Sequence, residues 1–90
     1  MNVARVFAVI EFQMRGDIAM PVTLSYVSDQ DVATDLVMDP LLDMTCRLAL
    51  ELIAQPQDGV KLVRLLATNG SIPRHWQNPT IDQLLSIRFL

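Results

Sequence analysis

Residues 18–26 alternate with period two: Ile18, Met20, Val22, Leu24 and Tyr26 fall on one face, Ala19, Pro21, Thr23 and Ser25 on the other. This pattern predicts a half-buried strand, because successive side chains of a strand point to opposite faces. Upstream, residues 3–12 are apolar on both faces, with Val6, Ala8, Ile10 and Phe12 on one and Val3, Phe7 and Val9 on the other. A strand buried on both sides, or covered by a partner, reads this way. Arg15-Gly16-Asp17 supplies a turn between the two, which predicts a hairpin. The same tripeptide spells an integrin-binding motif, a chance match in a chain read as having no secretion signal.

Ser28 to Asp31 is polar and turn-like, and residues 32–38 are expected as a third strand. Asp39-Pro40 then has the form of a helix start, with Asp as N-cap and Pro at the first helical position. The spacing predicts a helix over 41–55, with Leu41, Met44, Leu48, Leu52 and Ile53 inward. Asp43, Arg47, Glu51 and Gln55 recur as its solvated stripe. Pro56 and Gly59 end it. Residues 60–67 read as a strand, Asn69-Gly70 as a hairpin turn, and 71–77 as a return strand confined to an edge by Pro73. Asn78-Pro79 predicts a last helix over 79–89, with Ile81, Leu84 and Leu85 inward. The expected fold class is α+β: one domain, residues 1–90, of about five mostly antiparallel strands with one central and one C-terminal helix. The expected order is β-β-β-α-β-β-α.

Composition changes this picture in one respect. The chain has 90 residues, of which 51% are hydrophobic and only 19% charged. A chain this short buries only about 60–65% of its unfolded surface, so an excess of apolar residues predicts an oligomer interface or a partner surface. The net charge is −3 and the isoelectric point near 4.7, with Arg5, Arg15, Arg47, Lys61, Arg64, Arg74 and Arg88 scattered along the chain. Nucleic-acid binders concentrate positive charge to displace counterions from phosphates, so nucleic acid is a disfavoured partner. Cys46 is the lone cysteine, which excludes an internal disulfide framework and a cysteine-built zinc site and fits a reducing cytoplasm. A small core residue on a helix is the expected role of Cys46. No apolar run approaches the ~18 residues needed to span a membrane.

Candidate chemistry is sparse. His75 is the only histidine, and no second histidine or cysteine completes a triad or a metal set. The three glycines are isolated, so no phosphate-cradling loop is present. The expectation is therefore a non-enzymatic protein, with no catalytic residues, no metal and no cofactor. Its contact residues are expected on the doubly apolar first strand, at Phe7 and Val9, and on the edge strand around Arg74, His75 and Trp76.

One family resemblance sharpens this. Pro21-Val22-Thr23-Leu24-Ser25-Tyr26 resembles the P-V-x-L-x-Y segment of the SsgA-like proteins of actinobacteria, with Ala33, Leu36 and Met38 at comparable places after it. Leu48-Ala49-Leu50-Glu51-Leu52-Ile53-Ala54 is similar to the family's F-A-R-D-L-L-A-like run, and Pro56 with Asp58 to Leu62 to the proline and G-D-V-R-V-like strand after it. The resemblance covers residues 18–90. Val27 stands where the family has aspartate, Gln30-Asp31 where it has Asp-Pro, and Cys46 near the place of a tryptophan. The resemblance implies a whirly-like domain, self-association, and an adaptor role in sporulation-linked cell division and septum placement, acting on machinery such as the tubulin-like division protein. A whirly-like domain also brings single-stranded nucleic acid into view, which the acidic balance opposes. The alternative is a small acidic inhibitor or antitoxin-like protein, phage-encoded, that neutralises a larger protein.

Overall fold

The two alternating segments at the start of the chain do form a hairpin. In the computed structural model, which describes residues 4–55 and 59–86, strand β1 (Ala4–Arg15) and strand β2 (Ile18–Val27) run antiparallel around Gly16. Gly16 has a φ of 61°, the left-handed region that glycine enters without steric cost. A bulge opposite Glu11 and Phe12 absorbs one extra residue of β2 beside Pro21, where a missing N–H is tolerated.

The next segment departs from expectation. Residues 32–38 lie in helix α1 (Gln30–Met38), not in a strand. Val32, Thr34, Leu36 and Met38 mimic a strand's alternation, but Val32/Leu36 and Ala33/Val37 are also i,i+4 pairs. The cap decides between these readings. Asp29 Oδ1 accepts from the amides of Asp31 (2.8 Å) and Val32 (3.2 Å), satisfying two helix-end donors. Asp39-Pro40 then stops this helix and starts none: Asp39 is its C-cap, and proline is common just past a helix end.

The expected helix over 41–55 is likewise replaced, by strand β3 (Thr45–Gln55). Leu, Ala and Glu favour helices in isolation. Here Cys46, Leu48, Leu50 and Leu52 alternate with Arg47, Ala49, Glu51 and Ile53, and β3 pairs with a neighbour on each side. Burying both edges and both faces of one strand outweighs tenths of a kilocalorie of propensity per residue. Cys46 therefore sits on a strand. Strand β4 (Gly59–Asn69) follows as expected. The expected return strand over 71–77 is absent: Ser71 to Pro73 is irregular and Arg74–Trp76 is a 3₁₀ turn. The last helix, α2, spans Ile81–Leu85, with a reciprocal capping box between Thr80 and Gln83; residues 87–89 of the expected helix lie outside the described residues.

The result is an α+β fold with a four-stranded antiparallel sheet in the order β2-β1-β3-β4 and two helices. Strands β2 and β3 both run antiparallel to β1, so the connection through α1 crosses over β1. On one face, α1 lays Ala33 and Val37 over Phe7, Val9 and Ala49. On the other, the C-terminal segment lays Trp76 and Leu84 over Ala8, Ile10, Phe12, Cys46, Leu48, Leu50 and Leu52. The doubly apolar first strand is thus covered on both sides by the chain itself. Each of the large side chains in this second layer contributes about 1.5–3 kcal/mol by burial.

Candidate functional site

The five sequence-predicted contact residues do not form one surface. Phe7 and Val9 are buried beneath α1, and Trp76 is buried on the opposite face of the sheet. There the Trp76 ring packs on Phe12 at a centroid separation of 5.6 Å. Arg74 and His75, its neighbours in the 3₁₀ turn, are exposed.

Two charged groups sit on the α1 face. Glu51, expected on a solvated stripe, is only 3% exposed. Both of its carboxylate oxygens accept from Arg64 Nη2 at 3.0 Å, and Arg5 Nε lies 3.7 Å away. Its register explains this: Glu51 is opposite Phe7 on one side and Arg64 on the other, in the middle of the sheet. A carboxylate this buried is held by its partners and by little else. Arg64→Ala is expected to cost about 1–2 kcal/mol, the lower range because the guanidinium is largely in water. Replacing both Glu51 and Arg64 by methionine is expected to be nearly neutral. Urea denaturation of Glu51→Met, Arg64→Met and the double variant measures the coupling.

The second group is the cross-strand pair Glu11–Arg47. Arg47 Nε donates to Glu11 at 2.8 Å, and Arg47 Nη1 donates to the Asp39 carbonyl at 2.7 Å. Arg47 thereby ties the sheet to the connection between α1 and β3. That connection is fastened repeatedly. The Asp39 carbonyl also accepts from Asn69 Nδ2 at 3.1 Å, the Leu42 carbonyl accepts from Thr45 Oγ1 at 2.7 Å, and the Met44 carbonyl accepts from the Met14 amide at 2.6 Å.

Leu41 of this segment is half-buried, but three large apolar side chains at it face water. Leu42 is 74% exposed, Met44 59% and Met38, at the end of α1, 51%. Met44 is also the one non-glycine residue with positive φ (63°) among the described residues. Sequence reasoning placed Leu41 and Met44 in a helix core and missed this surface. The available signal was three large apolar residues within a short connection flanked by proline.

Two clefts border α1. The larger, about 490 Å³, is lined by Arg5, Phe7 and Ser28 to Asp31; the smaller, about 170 Å³, by Val9, Glu11, Thr23, Ser25, Leu36, Asp39 and Arg47. The first has Asp29 already engaged in capping the helix, and the second has Glu11 and Arg47 engaged with each other. Among the described residues no three of His, Cys, Asp and Glu gather as a metal-binding group. Burial pushes the Cys46 thiol up, away from the reactive thiolate. Among the described residues no helix is long and apolar enough to cross a membrane. No protein-family model, no curated protein and no solved structure matches the chain.

Proposed function

We propose that this chain is a non-enzymatic, self-associating adaptor that binds another protein, in the sporulation-linked division setting that the SsgA-like resemblance implies. A cytoplasmic site of action fits that reading. The observation that carries it is the fastened segment 38–44. Its backbone is fixed by hydrogen bonds, while Met38, Leu42 and Met44 face water. Large apolar side chains on a rigid backbone lose little entropy on docking, and methionine adapts to irregular partner surfaces. The left-handed backbone at Met44 supports the same reading, since strain held at a non-glycine residue concentrates at functional sites.

Met44→Gly separates binding from stability. Glycine relieves the strain at φ 63°, so stability is expected to stay level or rise by up to about 1 kcal/mol. Partner binding is expected to fall, because the exposed side chain is gone. The direct test captures proteins from the native host with tagged chain. Division components identified by mass spectrometry are expected with the wild type and lost with Leu42→Asp. Capture unaffected by Leu42→Asp, or a set with no division component, overturns the reading.

A further inference from the structure

The self-association in that reading requires a surface, and the sheet offers one. Strand β2 forms one margin, and among the described residues no further backbone hydrogen bond reaches 18–27 from outside the hairpin. An open margin is a template for another strand, and proteins blunt it with charge, proline, bulges or short length. β2 is ten residues long and holds no charged residue. Its two blunting features, Pro21 and the bulge, lie together in its first half. Residues 23–27, Thr-Leu-Ser-Tyr-Val, are left regular, uncharged, and rich in β-branched and aromatic side chains.

The opposite margin is different. β4 carries Lys61 and Arg64 and no acidic residue. A second copy laid on β4 would meet a basic strand, whereas one laid on β2 meets no charge. An uncharged strand also offers a foreign strand no charge pattern to select it, while pairing with its own copy meets no repulsion.

We propose that β2 pairs antiparallel with β2 of a second copy of this chain, about a twofold axis at Ser25, joining two four-stranded sheets into one of eight. The axis keeps each face of the sheet on its own side. Tyr26, 55% exposed, then lies opposite Leu24 of the second copy, and Leu24 opposite its Tyr26. Such aromatic–aliphatic cross-strand pairs stabilise a sheet. Thr23 meets Val27 in the same way, and Ser25 meets Ser25. Leu36 of each α1 lines the smaller cleft with Thr23 and Ser25, so an apolar side chain of each copy flanks the seam.

Light scattering from dilute to the highest soluble concentration tests this. The wild type is expected to approach twice the 10.1 kDa chain mass. Thr23→Lys/Ser25→Lys sets four lysines along the seam and is expected to weaken the dimer at least about tenfold. A dimer that survives this double variant overturns the seam and leaves self-association standing. A wild type that stays at the chain mass overturns both, and leaves partner capture through segment 38–44 unaffected. Hydrogen exchange of the wild type gives a second readout, free of any folding defect in the variant. Amides of 23–27 are expected to exchange more slowly as concentration rises; concentration-dependent protection of β4 instead, or of neither margin, overturns the proposal.

Discussion

Trp76→Ala is expected to lower the unfolding free energy by about 3–5 kcal/mol. A domain of this length has about 5–13 kcal/mol in total, so the variant loses about a quarter or more of its stability. The reason is position. Trp76 is 4% exposed and stands on Phe12, at the centre of the layer that also holds Ile10, Leu48, Leu50 and Leu84. It belongs to a single 3₁₀ turn, whose own hydrogen bonds, Trp76 to Pro73 and Gln77 to Arg74, are too few to hold it. The ring anchors the segment 71–86 more than the segment anchors the ring. Truncation therefore leaves a cavity and also loosens Leu84, which shares the layer. Urea denaturation followed by circular dichroism measures the loss, since the variant has no tryptophan left to report. Arg74→Ala and His75→Ala, exposed neighbours in the same turn, are expected to change stability by less than about 0.5 kcal/mol. A small effect at Trp76 would show that the C-terminal layer is not part of the cooperative core.

The contrast between Trp76 and its neighbours shows where the sequence was legible. The first hairpin could be read directly, because alternation over 18–26 and glycine at a turn are local signals. The class, an antiparallel sheet with helices, followed from the same kind of pattern. The middle of the chain could not be read this way. Residues 45–55 have helix-forming composition and become a strand only because β1 and β4 occupy both of its edges. That fact lies in the pairing, and no window of sequence contains it. Asp39-Pro40 was ambiguous for a related reason: the same two residues close one helix as readily as they open another. The misreading of 41–55 then moved the candidate surface. Met44 looks like a core residue on a helix and becomes solvent-facing, with Leu42, once the segment is a connection. Phe7 and Val9 look like a contact strip until α1, itself read as a strand, is laid over them.

Gly70→Ala is expected to cost about 2–4 kcal/mol, and to do so by two separable routes. Gly70 follows β4 with a φ of 84°, where a Cβ carries a backbone penalty of about 1–2 kcal/mol. An added Cβ would also lie 2.9 Å from Leu41 Cδ1, 3.0 Å from Cys46 Cβ and 3.3 Å from Cys46 Cα. The leucine methyl can swing aside. Cys46 cannot, since it lies in β3 and is fully buried against the C-terminal layer. Gly16 supplies the control. Its φ is also positive, at 61°, but a Cβ added there would have nothing within 4 Å. Gly16→Ala is therefore expected to show the backbone penalty alone, and the difference between the two midpoints in urea, at unchanged slope, isolates the clash. The clash has a functional consequence as well. Cys46, which cannot give way, lies two residues after Met44 at the start of β3, so relieving the clash there shifts the connection that presents Leu42 and Met44. Gly70→Ala is expected to weaken partner capture even under conditions where the variant is fully folded, whereas Gly16→Ala, in the turn between β1 and β2, leaves capture unchanged. Equal capture by the two folded variants would detach the 38–44 segment from binding, whatever their stabilities.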